Sequence, residues 1–240
     1  MAKESLFFHD GTLVEGADVQ LTDATSRHVL QVLRMQVGDG LELTNGDGLQ
    51  AFTTIKEASK KKCIVHVAQV VTHDPIEPKI HLGISFTKNT SRNEWLLEKA
   101  TELGIKSIIP IQSTRTERVR VKEERWKGIL SAALIQSQQF YLPVLQEIAL
   151  FEEVIEQYKH VEQKLIAHCM SEIERMPLQE AAEVGKETLI LIGPEGDFTQ
   201  DEVALSIKHG FRSISMGNQR LRTETAAIAA CSFFNIINHV

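Results

Sequence analysis

Residues 189–203 read LILIGPEGDFTQDEV. The apolar run stops at Gly193-Pro194-Glu195-Gly196, and Thr199 with Glu202 has the T-x-x-E spacing of a helix capping box. The stretch predicts a buried strand, a tight loop and a helix, the repeating unit of an α/β sheet. Its layout is that of a phosphate-cradling loop without the Gly-Lys-Ser/Thr ending that holds phosphates and magnesium. Glu195 would repel phosphate instead. Gly193 and Gly196 let the backbone approach a ligand closely, and Pro194 stiffens the turn. Backbone amides beside a carboxylate suit a ligand with amino and hydroxyl donors or a positive centre. The same glycines could also serve packing alone.

The pattern continues on both sides of this unit. KIHLGISF, SIIPIQS, VLQEIA, KLIAHCM, TLILIG and SISMG read as strands, with NEWLLEKATELG, KEERWKGILSAALIQS, FEEVIEQYKHV and TQDEVALSIKHG as helices between most of them. Apolar strands alternating with amphipathic helices predict a mostly parallel, helix-covered sheet. Upstream, LFFHD, DVQLT, LELTNGDGLQAFTTI and CIVHVAQVV are short β-like runs, and Asn45-Gly46-Asp47-Gly48 is a hairpin signal. One helix interrupts them, capped by Thr25 or Ser26 and burying Val29, Leu30, Val32 and Leu33. This part reads as a small β-barrel with one helix. HDPIEPK (73–79) is a proline-marked linker, so residues 1–74 and 75–240 are expected to form separate domains.

Composition narrows the class. The chain has 240 residues, 42% of them hydrophobic, with a net charge of −6. That balance argues against indiscriminate nucleic-acid binding while allowing a local basic patch. No apolar run approaches the roughly 20 residues that span a bilayer, and MAKESLFFHDG lacks the apolar segment of a signal peptide. Cys63, Cys169 and Cys231 form no CxxC pair, and His9, His73 and His239 lack metal-like spacing. A cytoplasmic protein without a metal site or membrane association is expected.

In open α/β sheets, ligands bind outside the carboxyl ends of the strands. Three such ends stand out: LIAHCMSE (165–172), LIGPEGDF (191–198) and SMGNQRLRTETAA (215–227). S-adenosylmethionine (SAM) carries the amino, hydroxyl and cationic groups that the middle loop suits. In the third end, Arg220 and Arg222 flank Leu221, and Thr223, Glu224 and Thr225 open an Ala-rich helix. Its small residues allow close approach of another helix, within the fold or across a dimer. A capped core helix would explain the Thr and Ala residues, but not Arg-x-Arg beside a strand end.

GPEGDFTQDEV together with MGNQRLRTETAA resembles the paired signature of the SPOUT-class methyltransferases, specifically the RsmE family. EKATELGIKSIIPIQSTRT (98–116) resembles the family's central segment and RHVLQVLRMQVGDGLEL (27–43) its N-terminal domain. The resemblance implies SAM-dependent methylation of N3 of a uridine in the decoding region of 16S rRNA in the small ribosomal subunit. It also implies a PUA-like β-barrel, a SPOUT α/β domain with a C-terminal trefoil knot, and a homodimer. Carried over by motif position, Ile192, Gly193, Pro194, Glu195 and Gly196 form one side of the cofactor site. Met216, Gly217, Leu221, Arg222 and Thr223 close the other, with His168 at the third strand end. Asp197 stands where the family commonly has a second glycine. Residues 135–139 are Ile-Gln-Ser-Gln-Gln instead of Glu-Gln-Ser-Gly-Arg. Another SPOUT activity (ribose 2′-O or tRNA methylation) and a non-catalytic RNA-binding assembly factor are the competing readings.

Methylating uridine N3 requires loss of its proton and leaves charge on O2 and O4. Arg222 is the candidate to stabilise that charge; its alternative is a structural pair with Glu195 or Glu224. Glu224 is the candidate base, or else simply a charge favouring a helix N-terminus. Arg27, His28, Arg34, Lys88, Arg92, Arg115, Arg118 and Arg120 are the expected RNA contacts. Lys99 and Glu102 should pair on a helix surface.

Overall fold

The computed structural model describes residues 5–59, 62–117 and 122–238. Two compact units emerge, residues 1–75 with 131–142, and residues 76–130 with 143–240.

The first unit contains a five-stranded sheet in the order β1-β3-β4-β5-β2. These strands are β1 (Leu6–Phe8), β2 (Asp18–Gln20), β3 (Gly40–Thr44), β4 (Leu49–Ala58) and β5 (Cys63–Thr72). Inward side chains follow the period-2 rule: Leu41 and Leu43, Ala51 and Ile55, and Cys63, Val65 and Val67 share one core with Phe7 and Val29. The 45–48 turn joins β3 to β4, with Gly46 and Gly48 at positive φ and Asn45 Oδ1 accepting from Asp47 N at 2.9 Å.

Helix α1 (Asp23–Arg27) is capped by Thr22 rather than by Thr25 or Ser26; Thr22 Oγ1 accepts from Thr25 N at 3.2 Å. A π-turn, His28–Val32, follows, closed by Leu33 N donating to His28 O at 3.0 Å. The i→i+5 bond breaks the α-helical phase. Val29 is buried and Leu30 packs on the core, but Val32 and Leu33 are 64% and 39% exposed, contrary to expectation.

The second unit is an all-parallel eight-stranded sheet, ordered β11-β13-β10-β12-β6-β7-β8 with β9 also pairing β7. Its strands are β6 (Ile80–Ile84), β7 (Ser107–Gln112), β8 (Val144–Leu145), β9 (Ala149–Leu150), β10 (Gln163–Ala167), β11 (Met176–Pro177), β12 (Thr188–Ile192) and β13 (Arg212–Ser215). β6 and β12 are buried throughout, as central strands covered on both faces must be. Leu189 and Leu191 of β12 pack with Phe151, Phe198 and Phe211. Helices α4 (Phe151–Gln157), α6 (Gln200–Lys208) and α7 (Thr223–Asn238) pack on the sheet, and α2 (Thr90–Glu102) packs against α7. The longer α3 (Glu123–Ser137) and a single turn, α5 (Leu178–Ala181), complete the chain. The small residues of α7 serve packing within the fold: Ala226, Ala227, Ala230 and Cys231 are buried, and α7 lies against β6, β12 and α2. Lys99 pairs with Glu102 at 2.8 Å, as expected. Among the described residues no helix is long and apolar enough to cross a membrane.

At the amino ends of the central strands, His81 is held on both ring nitrogens, Nδ1 by Ser107 Oγ at 2.6 Å and Nε2 by Glu187 Oε1 at 2.9 Å. Burial holds its pKa below the ordinary 6.5, against the opposing pull of Glu187. As pH falls through 6.5, the unfolded chain takes up this proton before the native state does, so stability drops. Chemical denaturation between pH 7 and pH 5 is expected to show this loss, with a shallower slope in His81→Asn. Some slope remains, because burial also lowers the pKa of His9 and His168. An identical slope in the variant would assign the effect to other groups.

Candidate functional site

Three strand ends of the parallel sheet converge on a cavity of about 310 Å³, within the range of small-ligand sites. Ala167, His168 and Cys169 contribute from the end of β10. Ile192, Gly193, Pro194, Glu195 and Asp197 come from the end of β12. Met216, Gly217, Arg220, Leu221, Arg222 and Thr223 come from the segment between β13 and α7. The sequence-predicted cofactor residues are thus brought together with one exception, Gly196. A Cβ placed on Gly196 would meet the Arg115 side chain at 3.4 Å, and Gly196 does not line the cavity. Gly193 is the sterically demanding glycine: a Cβ there would lie 3.1–3.2 Å from the Phe198 ring and backbone.

Side-chain bonds fix the loops to one another. The buried Thr223 hydroxyl donates to Gly193 O at 3.0 Å, joining the start of α7 to the end of β12. Asp197, the departure from the family's glycine, adopts φ +64, a conformation Asp tolerates better than most residues. Its Oδ1 accepts from Phe198 N at 2.8 Å and its Oδ2 from Cys169 N at 2.7 Å, tying the β12 loop to the β10 loop. The capping box forms as expected: Thr199 N donates to Glu202 Oε2 at 2.7 Å and Glu202 N to Thr199 Oγ1 at 3.2 Å. Glu202 also accepts from Thr114 N at 2.7 Å through its other oxygen. The start of α6 is therefore satisfied by protein groups, not by an anion.

Two polar groups in the cavity lack protein partners. His168 is buried; Met170 N donates to its Nδ1 at 3.3 Å, which leaves the proton of the neutral ring on Nε2. Burial lowers the His168 pKa, opposed by Asp197, and favours that neutral ring. Nε2 is buried without a hydrogen-bond partner among the described residues, and such a group calls for an explanation. The Arg222 guanidinium likewise makes no ion pair or hydrogen bond with any described residue, so the pairings with Glu195 and Glu224 do not form.

Other expected site residues lie elsewhere. Glu224 does not face this cavity; its Oε1 lies 3.4 Å from Arg92 Nε, beside a separate hollow. That placement puts the candidate base outside the lining of the cavity. Arg115 donates through Nη1 to Gly196 O at 2.8 Å and Phe198 O at 3.4 Å, so it straps the β12 loop rather than standing free for RNA. Lys88 pairs with Glu117 at 3.2 Å, and Arg27 Nε donates to Asp23 O at 3.2 Å. His28 sits edge-on to Phe7, and Arg34 is exposed at φ +56. Arg118 and Arg120 lie outside the described residues. Sequence reasoning missed Arg175, which lines the cavity and donates to His168 O at 2.8 Å. Its position in the polar run after a strand end was the available signal. Among the described residues no group of three or more His, Cys, Asp or Glu could hold a metal ion.

A cavity at the carboxyl edge of a parallel sheet, closed by glycine-bearing loops, defines an α/β domain built to bind a small ligand. The comparisons give that class a family. An RNA methyltransferase domain matches residues 74–235, and an RNA methyltransferase PUA domain matches residues 21–68. The ribosomal RNA small subunit methyltransferase E of Bacillus subtilis is 27% identical over 91% of this chain and 90% of its own length. That of Buchnera aphidicola subsp. Acyrthosiphon pisum is 30% identical over 88% and 84%. Among solved structures, a probable rRNA methyltransferase from Porphyromonas gingivalis is 36% identical with a TM-score of 0.91, covering 98% of both chains. A Legionella pneumophila putative methyltransferase, solved with bound SAM, is 29% identical with a TM-score of 0.85 over 99% of both chains. The chain belongs to the RsmE family of RNA methyltransferases.

The strap predicts a local effect. Arg115→Ala is expected to speed hydrogen exchange at the amides of 196–199 while leaving those of β6 unchanged. Exchange at 196–199 equal to that of the parent protein would leave Arg115 without the strapping role.

Proposed function

We propose that this chain is a SAM-dependent rRNA methyltransferase that modifies N3 of a specific uridine in the decoding region of 16S rRNA, within the small ribosomal subunit. The observation that carries the reading is the cavity itself, which sets a neutral imidazole with a free Nε2 and an exposed guanidinium between two signature loops. These residues fit SAM. The backbone of 192–195 and 216–217 can cradle its nucleoside and amino-acid parts, with Leu221 and Thr223 closing the side. His168 Nε2–H is a donor awaiting an acceptor. The chemistry supplied when SAM is bound is an activated methyl group, so the protein contributes position and electrostatics.

The target base must be unpaired or extruded for N3 to be reached. Charge then develops on uracil O2 and O4, and Arg222, an exposed cation lining the cavity with no competing partner among the described residues, is placed to stabilise it. Solvent takes the N3 proton in this scheme. Arg34 and the segment holding Arg118 and Arg120 remain the proposed RNA contacts, with Lys88, Arg27 and His28 as secondary ones.

The finer architecture is proposed on the same footing. β13 lies between β10 and β11, while β12 lies on the far side of β10. The chain therefore leaves β12, recrosses β10 and enters between two strands already laid down, which supports the trefoil knot. Register shifts within the β4–β5 pair, between Phe52 and Thr53 and between Ile55 and Glu57, supply the bending that a PUA-like barrel needs. A homodimer is supported by the resemblance. Residues 1–74 then form the RNA-binding domain and 75–240 the catalytic one, working in the cytoplasm where ribosomes are assembled. The match to the PUA domain favours this reading over ribose or tRNA methylation, and the intact cavity favours it over a non-catalytic assembly factor.

Arg222→Ala is expected to cut single-turnover methylation at saturating RNA and SAM by about 10²–10³, the usual cost of losing one such group. Arg222→Lys should recover only part, lacking the planar fork. A full rate in Arg222→Ala would remove the residue from the mechanism. Gly193→Val should abolish SAM binding in calorimetry because its side chain meets Phe198; unchanged affinity would place the cofactor elsewhere.

A further inference from the structure

Consecutive residues at the start of α7 face different spaces. Thr223 and Ala226 line the main cavity, whereas Glu224 and Thr225 line a second hollow of about 330 Å³ with Asn89, Ser91, Arg92 and Trp95. The two spaces open on different faces of the same first turn. Glu224 is the feature that needs an explanation. Its side chain is only 10% exposed, Oε1 has just the 3.4 Å contact with Arg92 Nε, and Oε2 is buried with no hydrogen-bond partner among the described residues. A nearly buried carboxylate left half-satisfied is costly. Beside it, Trp95 is 44% exposed, although tryptophan is a large apolar ring.

We infer that this hollow is a nucleobase subsite for the substrate RNA, taking an unpaired base next to the one being methylated. The inference rests on the methyltransferase reading of the neighbouring cavity. Unpaired bases are recognised by stacking on aromatic rings and by hydrogen bonds along their edges. Trp95 supplies the stacking surface. Glu224 Oε2 accepts from a base N–H, and Arg92 donates to an adjacent ring oxygen or nitrogen. Side-by-side acceptor and donor groups match the Watson–Crick edge of any base pairing an N–H with a neighbouring acceptor, and they give no site to a phosphate, which Glu224 repels. Opening from the same first turn of α7 as the cavity, the hollow holds this base close to the target nucleotide. Glu224 is then a specificity residue for the RNA, not the base that removes the N3 proton.

The test uses the full-length protein with small ribosomal subunits lacking the modification, and SAM binding measured separately by calorimetry. Trp95→Ala is expected to raise the KM for the subunit about tenfold or more, the usual effect of losing one base stack, while the SAM Kd stays at the parent value. Trp95→Phe should recover most of it. Glu224→Gln should raise the same KM, since an amide presents a donor where the base presents its own N–H. In a Trp126→Phe background, Trp95 fluorescence should be quenched on binding RNA. An RNA KM within twofold of the parent in Trp95→Ala, or absent quenching, would overturn the subsite. So would dissociation of an oligomer by Trp95→Ala in sedimentation, which would assign the hollow to a second copy of the chain. A parent protein that binds no SAM would instead defeat the methyltransferase reading, separately from the subsite.

Discussion

The buried hydrogen bond from the Thr223 hydroxyl to the Gly193 carbonyl holds the site together. Gly193 follows directly on a strand whose five residues are all buried, and its carbonyl accepts from the Thr223 hydroxyl rather than from a strand. An unpaired buried carbonyl is expensive, and the hydroxyl at the first turn of α7 removes that cost. The bond thereby fixes the separation of the two loops that enclose the cavity. Gly193 must also lack a side chain, because Phe198 occupies the space a Cβ would take. One glycine and one threonine thus couple core packing to the shape of the ligand site.

Other contacts brace this junction from outside. Asp197 reaches Cys169 N, Glu202 reaches Thr114 N, and Arg115 reaches Gly196 O. The β12 loop is consequently tied to the ends of both β10 and β7. All these bonds use polar groups that the loops would otherwise leave unsatisfied, so rigidity and solvation are met together. Among the described residues, the buried side-chain atoms without a hydrogen-bond partner include His168 Nε2 in the cavity and Glu224 Oε2 in the hollow, alongside Trp126 Nε1 and Ser213 Oγ elsewhere. A preorganised site keeps its free donors and acceptors for its ligands.

Much of this was legible in the sequence. The period-2 runs and helical stretches give the strands and helices of the parallel sheet, and strand ends rich in Gly, Arg and Thr mark the cavity. The T-x-x-E spacing at Thr199 and Glu202 specifies the helix start by local bonding alone. Orientation was less legible. Gly196 is adjacent to the cavity residues in sequence, yet its Cα faces Arg115. Glu224 follows Thr223, but about 100° of helical rotation turns it toward another space. The π-turn at His28–Val32 changes the phase of α1 and exposes Val32 and Leu33, which no apolar period announces. Asp197, where the family commonly has a glycine, takes a positive φ and accepts two hydrogen bonds. The order in which β13 enters the sheet lies beyond hydrophobic pattern altogether, since it depends on path and not on local preference.

The account stands or falls on one modified nucleotide. Mass spectrometry of 16S rRNA from cells deleted for this gene, with and without the protein restored, reads it directly. The account predicts that 3-methyluridine disappears from the decoding-region fragment on deletion and returns with the parent protein but not with Gly193→Val. Retention of 3-methyluridine in the deletion strain, or loss of a ribose or tRNA methyl group in its place, would contradict it.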